Sequence, residues 1–201
     1  MATAEAAQTA ALAGADYMGL VFHPKSKRAV TVSQARAITA VTRTHGAIPV
    51  AVFTDHSAQQ MLNICTATQI TTVQLHGARA RQAHRMLAPK YRRFYVCPVS
   101  EQGVIAKEDE QGLTHCDPQR DYVLFDHQDP GTGQCFSWAA FHYQGVFPMI
   151  VAGGLCRDNV HDAIRRFQPA MVDVSSGVED CFGEKDAALI TQFIQTVRGV
   201  A

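Results

Sequence analysis

The chain has 201 residues, of which 47% are hydrophobic and 18% are charged. This length supports one sizeable hydrophobic core and is short for two, so we expect a single domain over residues 1–201. Eighteen basic and eighteen acidic residues cancel, and neither sign forms a long block, which argues against binding to nucleic acid or to an anionic membrane. A small molecule is the expected partner.

Membrane insertion, secretion and metal binding are also disfavoured. No run approaches the roughly 18 consecutive apolar residues that a membrane-spanning helix needs. The Ala-rich start lacks the basic region of a secretory signal and is interrupted by Glu5 and Gln8, so it predicts a surface helix. The six cysteines lie far apart without a C-x-x-C pair, which indicates reduced thiols, a cytoplasmic location and no metal site. They are Cys65, Cys97, Cys116, Cys135, Cys156 and Cys181.

Seven short apolar or β-branched runs predict strands, each bounded by turn residues. They cover residues 17–22, 48–53, 71–75, 94–99, 122–125, 149–151 and 171–174. Runs that are apolar on both faces are typical of parallel strands covered by helices, and their recurrence every two or three dozen residues favours a βαβ series. The least regular unit is residues 100–120, where Gly, Asp and Glu interrupt any period.

Helix start signals lie between these strands. Thr31 precedes Gln34 by three residues and Ser57 precedes Gln60 by three, the spacing of a capping box. Strand and helix periodicity alone leave an open sheet and a closed barrel equally possible.

Polar and glycine-rich residues follow the C-terminal ends of the strands. They are residues 23–28, His76 and Gly77, Asp126, Gly153 and Gly154, and residues 175–177. Barrels of (β/α)8 type place their active sites at that face, often with phosphate bound by the loops after the last two strands. These residues favour a barrel.

Two consecutive strand ends carry glycines just before a helix, at Gly153 and Gly154 and again at residues 175–177. Glycine lets the backbone approach a ligand closely, and free N–H groups at a helix start attract an anion. Each glycine alone could merely relieve a tight turn. Two consecutive ends of this kind favour a phosphate-binding site.

The ordered motifs resemble those of the phosphoribosylanthranilate isomerase family. They are Gly14-Ala15-Asp16, Gly19 followed by residues 20–28, Val73-Gln74-Leu75-His76-Gly77, Gly131-Thr132-Gly133, Ala152-Gly153-Gly154-Leu155 and residues 173–179. The resemblance spans nearly the whole chain. It implies an α/β fold, the (β/α)8 TIM barrel, of which these residues supply seven strands.

The resemblance implies an Amadori rearrangement of N-(5-phosphoribosyl)anthranilate to the 1-deoxyribulose 5-phosphate derivative in tryptophan biosynthesis, with no metal and no cofactor. The family's general acid ends the strand before the G-T-G loop, which is Asp126 here. A carboxyl beside Phe125 can have its pKa raised by desolvation, which suits an acid working near neutrality. The alternative is that Asp126 only caps a turn.

The resemblance also assigns binding residues. Arg28 takes the family position that grips the anthranilate carboxylate, and a guanidinium does so with a bidentate fork. Gln74 and His76 match pocket-lining residues, with His76 as a neutral donor or acceptor. The phosphate site carries over as Gly154, Ser175, Ser176 and Gly177.

The chain departs from the family pattern in two places. The family's first strand, Lys-Ile-Cys-Gly, carries the cysteine that acts as general base, and these residues contain no such segment. Residues 2–13 match the helix that follows that strand, so we expect the strand to be missing and the working form to contain it. Ser137 replaces an aspartate before Trp138, and we expect Ser137 to cap a following helix.

Three functional interpretations stay open on the sequence. The first is an isomerase that has its first strand upstream of Met1. The second is a catalytically impaired phosphate-binding barrel that lacks the general base. The third is another sugar-phosphate epimerase or synthase with the same phosphate site, against which Arg28 and Asp126 argue. The sequence leaves open the oligomeric state and fusion to other pathway domains.

Overall fold

The structure, a computed structural model, describes residues 1–129, 131–181 and 183–200. Helices and strands alternate along it, and the chain divides into two compact units, Met1–Phe94 and Tyr95–Ala201. The strands are β1 (Tyr17–Val21), β2 (Ile48–Phe53), β3 (Thr72–Leu75), β4 (Arg92–Val99), β5 (Tyr122–His127), β6 (Met149–Val151) and β7 (Met171–Val172). The helices are α1 (Ala4–Ala13), α2 (Val32–Thr44), α3 (Ala58–Thr68), α4 (Ala78–Ala83), α5 (Lys107–Gly112), α6 (Val160–Phe167) and α7 (Ala187–Arg198).

The first unit contains parallel strands β1, β2 and β3 with helices packed on them. Tyr17 pairs with Ile48 at the start of β1 and β2, and Val50 pairs with Thr72 at the start of β3. All residues of β2 after Ile48 are buried, as expected for a parallel strand covered on both faces. Helix α2 contacts α1, α3 and β2. The parallel βαβ arrangement predicted from the sequence is confirmed in this unit.

Both predicted capping boxes are present. The Thr31 and Ser57 hydroxyls accept the backbone N–H of Gln34 (3.2 Å) and Gln60 (3.3 Å), and each glutamine side chain accepts the cap residue's own N–H. These reciprocal bonds satisfy donors at the helix start that have no intrahelical partner. Gln69 follows the last residue of α3, and its φ of 59° places a residue with a side chain in the left-handed region.

The second unit contains parallel strands β5, β6 and β7. Val123 pairs with Met149, and Ile150 pairs with Met171. An aromatic cluster fills the core outside β5, where the Phe125 and Phe141 ring centroids lie 4.8 Å apart and Phe141 also contacts the ring of Phe167 at 5.7 Å. Packing of this cluster fixes the segment after β5.

The expected helix after Ser137 is wrong. The Ser137 carbonyl accepts the N–H groups of Ala140 (3.3 Å) and Phe141 (3.1 Å), which closes a single turn, and no helix lies between β5 and β6 among the described residues. Phe141 is drawn into the aromatic cluster at 2% exposure, and Gly145 follows, so the turn does not propagate.

The remaining expectations concern individual elements of the fold and the number of domains. The surface helix at the start of the chain is confirmed as α1, capped by the Thr3 hydroxyl. The irregular unit at residues 100–120 holds only the six-residue α5 and a short 3-10 turn, Leu113–His115. The last strand is shorter than predicted because the chain turns into a loop at Asp173. The interpretation as a single domain stays a prediction.

Among the described helices, none combines the length and the apolar composition needed to cross a bilayer.

Candidate active site

The C-terminal ends of β1, β2 and β3 share one edge of the first unit, and three predicted site residues lie there. The register aligns Val21 with Val52 and Val52 with Gln74, so Gln74 stands level with the end of β1. Arg28 follows β1 and His76 follows β3. Parallel pairing thus brings these positions to one edge, as the sequence predicted.

The loop that carries Arg28 is closed on β1. The Val30 N–H donates to the Val21 carbonyl at 2.9 Å, and the Ser26 hydroxyl accepts the Arg28 N–H at 3.1 Å. Arg28 is partly buried. These bonds fix the backbone from which the guanidinium extends.

Gln74 and His76 differ in what holds them. Gln74 is 8% exposed, and its side-chain amide bonds to none of the described residues. The His76 N–H donates to the Phe53 carbonyl at 2.8 Å, and Arg81 donates to the His76 carbonyl at 2.8 Å. Burial lowers the pKa of His76 to about 4, with the nearby Arg81 charge as the second cause. The imidazole is therefore neutral at pH 7.

The sequence reasoning missed a histidine pair at the same edge. His23 Nδ1 lies 3.9 Å from a carboxylate oxygen of Asp55. Burial lowers the pKa of His56, the charge of His23 lowers it further, and Asp55 partly opposes the shift. The three residues follow two different strands, and nothing in their spacing in the sequence signals that they meet.

In the second unit, a small cavity collects most of the other predicted site residues. Its volume is about 50 Å³, and its wall includes Asp126, Gly154, Ser175 and Ser176. These residues come from the ends of β5, β6 and β7, which the parallel register aligns. A larger, open cavity of about 630 Å³ lies elsewhere in this unit, against Cys97, Phe125 and Tyr143. Of these two cavities, the smaller one holds the carboxyl group whose pKa is raised.

Asp126 has a carboxyl group whose pKa suits a general acid near neutral pH. Burial raises the pKa of its carboxyl from 3.8 to about 7, and the carboxylate of Asp173 raises it further. A hydrogen bond from the His127 backbone N–H and the charge of the His127 ring act in the opposite direction. Desolvation by burial is the largest cause, and Phe125, the neighbour from which it was expected, packs instead against the ring of Phe141. Asp126 is therefore protonated in a substantial fraction of molecules near neutrality.

The turn after β6 requires its two glycines. Gly153 and Gly154 have φ values of 82° and 65°, a region that residues with a side chain rarely adopt. A Cβ at Gly154 would lie 2.6 Å from the Cys135 sulfur. The Asn159 side chain donates to the Gly154 carbonyl at 3.0 Å and accepts the Cys156 N–H at 2.8 Å, which ties this turn to the start of α6.

The loop after β7 completes the cavity wall. Among the described residues, the backbone N–H groups of Gly154, Ser175 and Ser176 donate to no protein acceptor. A Cβ at Gly177 would lie 2.0 Å from the Leu155 carbonyl oxygen, so only glycine permits this approach of the two loops. Unpaired N–H groups around a cavity are what binding of a phosphate by backbone requires.

Two further features of the second unit were not anticipated. Asp173 lies in the cavity wall and raises the pKa of Asp126, a role that its position in the motif did not predict. Lys185 donates to the Ser175 carbonyl at 2.7 Å and to the Glu179 carboxylate at 2.6 Å. Both contacts depend on how the loops fold. In the described ranges, no set of three His, Cys, Asp or Glu side chains is arranged to hold a metal ion.

Comparisons with known proteins agree on one family. Residues 1–196 match the family model described as N-(5'-phosphoribosyl)anthranilate (PRA) isomerase. An N-(5'-phosphoribosyl)anthranilate isomerase of Chlamydia felis is 38% identical over 195 residues, covering 96% of this chain and 92% of the relative.

Solved structures place the fold in the same family. The crystal structure of phosphoribosyl anthranilate isomerase from Thermotoga maritima matches with a TM-score of 0.81 and 30% identity, over 99% of this chain and 96% of that one. A crystal structure of a phosphoribosyl anthranilate isomerase in complex with reduced 1-(o-carboxyphenylamino)-1-deoxyribulose 5-phosphate matches with a TM-score of 0.76 and 30% identity, over 99% of this chain and 95% of that one. The expected (β/α) barrel fold is confirmed, and the chain belongs to the N-(5'-phosphoribosyl)anthranilate isomerase family.

Proposed function

We propose that this chain isomerises N-(5'-phosphoribosyl)anthranilate in tryptophan biosynthesis with Asp126 as the general acid. Membership of the family supports the reaction. The observation that supports the residue is the Asp126 carboxyl with a pKa of about 7 in the wall of the glycine-lined cavity. An acid is most effective when its pKa lies near the working pH.

The reaction begins with two proton transfers. Asp126 donates its proton to the ribose ring oxygen, the C1–O bond breaks, and the anthranilate nitrogen supplies electrons to form an iminium ion. A base then removes the C2 proton to give an enolamine, which becomes the aminoketone when C1 takes up a proton and the C2 hydroxyl releases one. The family resemblance assigns this second transfer to the cysteine of a Lys-Ile-Cys-Gly strand, a segment that residues 1–201 do not contain.

The substrate is a small anionic sugar phosphate, and two groups of residues are proposed to bind it. The phosphate contacts Gly154, Ser175, Ser176 and Gly177 through backbone N–H groups and serine hydroxyls, a proposal that the unpaired N–H groups support. Arg28 grips the anthranilate carboxylate. The related enzyme crystallised with a reduced carboxyphenylamino-deoxyribulose 5-phosphate supports a ligand of this class.

We also propose a cytoplasmic location. All six cysteines are free thiols, which agrees with a reducing compartment.

The test is turnover after Asp126→Asn. We expect kcat to fall by about 10²–10⁴, with KM nearly unchanged, because the amide keeps the shape of the side chain but has no acidic proton to give. Asp129→Asn, an exposed carboxyl in the wall of the same cavity, is the matched control and should retain activity. If Asp126→Asn turns over like the unchanged enzyme, another group opens the ribose ring.

Each protein should be assayed as residues 1–201 and as a chain extended upstream by a Lys-Ile-Cys-Gly strand. Activity that appears only in the extended chain supports the cysteine as base. Equal activity in both places the base within residues 1–201 and contradicts the assignment carried over from the family.

A further inference from the structure

The loop that follows β7 is held from behind by a charged side chain. Lys185 Nζ donates to the Ser175 carbonyl at 2.7 Å, and the Val178 N–H shares that acceptor at 3.4 Å. Lys185 and Glu179 have side chains only 11% and 7% exposed, and they pair at 2.6 Å. A pair this sheltered and this short is ordered, unlike most ion pairs at a surface.

The segment that supplies Lys185 is clipped to the loop by its own backbone. Glu179 and Lys185 face each other in an antiparallel bridge, and the Asp186 N–H donates to the Val178 carbonyl at 3.1 Å. Asp186 then caps α7 by accepting the Leu189 N–H at 2.8 Å. The backbone that carries Lys185 is thus held against the loop at the start of α7.

The Ser175 carbonyl and the Ser176 N–H belong to one planar amide and point in opposite directions. An ammonium group that fixes the carbonyl therefore also fixes the direction of the N–H. Ser176 lines the cavity, and its N–H has no acceptor among the described residues. A positive charge at the oxygen also draws electron density through the amide and makes the N–H a stronger donor.

We propose that Lys185, held by Glu179, is a positioning residue that aims and strengthens the Ser176 N–H for a phosphomonoester dianion. Lys185 acts through the peptide group and does not contact the ligand. The inference rests on the phosphate site proposed above. It adds Lys185 to that site, although Lys185 is not one of the residues that line the cavity.

The test is binding of inorganic phosphate by calorimetry and by the amide NMR shift of Ser176, together with KM and kcat in the chain extended upstream by the Lys-Ile-Cys-Gly strand. For Lys185→Met we expect phosphate affinity to fall and KM to rise by about tenfold or more, the loss of one charge-assisted hydrogen bond. The kcat should change by less than about threefold, since the chemistry does not involve this group. Lys185→Arg keeps the charge and should restore most of the affinity.

Lys107→Met, the same chemical change on α5, is the control and should bind phosphate like the unchanged protein. If Lys185→Met does not fold, Glu179→Gln decides, because it removes the negative charge that pairs with the ammonium group and should weaken phosphate binding about threefold. Unaltered binding in the variant that folds overturns the role of Lys185 and leaves the phosphate site standing. An unchanged protein whose Ser176 amide does not respond to phosphate overturns the site and the inference together.

Discussion

Replacing Asp126 by asparagine should remove activity and yet stabilise the fold above neutral pH. The native pKa of about 7 compares with an ordinary value of 3.8. Between these values the native carboxyl holds a proton that the unfolded chain has released. The free energy of unfolding therefore falls as pH rises through this window, and the loss is complete above about pH 7.

The size of the effect follows from the shift. Roughly three pH units at about 1.4 kcal/mol each give about 4 kcal/mol as an upper figure for the cost of the ionised carboxylate. Asparagine carries no such cost. The stability difference between Asp126→Asn and the unchanged protein should grow by about 3 kcal/mol from about pH 5 to pH 8.

Urea unfolding of Asp126→Asn and of the unchanged protein at a series of pH values measures this difference in the free energy of unfolding. The pH effects of all other groups are common to both proteins and cancel in the difference. Asp129→Asn removes an exposed carboxyl from the same cavity wall, and its difference should stay within about 0.5 kcal/mol across the series. A difference for Asp126→Asn that does not change with pH would show that the native carboxyl holds no extra proton. The raised pKa, and with it the argument for an acid, would then be wrong.

Three other outcomes are expected. Asp173→Asn removes a negative charge that helps raise the pKa of Asp126, so the alkaline limb of the plot of kcat/KM against pH should move to lower pH. If this limb does not move, the charge of Asp173 does not act on Asp126. Arg28→Lys replaces a two-pronged donor by a point charge and should raise KM about tenfold with kcat less affected, whereas Lys27→Arg should change neither. The His76 ring, with a pKa of about 4, should show no titration by NMR between about pH 5.5 and 8, and a midpoint in that range would contradict its buried, neutral state.

Local rules predicted the parts of the fold that depend on near neighbours. The capping boxes at Thr31 and Ser57 formed because donor and acceptor lie three residues apart, within one helical turn. The apolar runs form parallel strands, as expected for segments that are apolar on both faces and must be buried on both. Desolvation was also the expected cause of the raised pKa of Asp126, although Phe125, the neighbour that suggested it, packs in the aromatic cluster.

The contacts that escaped prediction join residues distant in sequence or depend on packing. Ser137 failed to start a helix because Phe141, four residues on, is held by an aromatic cluster that includes Phe167. The influence of Asp173 on Asp126 requires the register of three strands. Gln168, like Gln69, ends a helix in the left-handed region, where sequence rules expect glycine.

The approach of Gly177 to the Leu155 carbonyl has a genetic consequence. A Cβ there would sit 2.0 Å from a backbone oxygen that no rotamer change can move. Every missense change of this codon adds that atom, so alanine should be nearly as harmful as a bulky residue. At the partly exposed Ser176, tolerance should instead depend on which side chain arrives. A collection of natural or selected functional variants should therefore contain no substitution of Gly177 but several substitutions of Ser176.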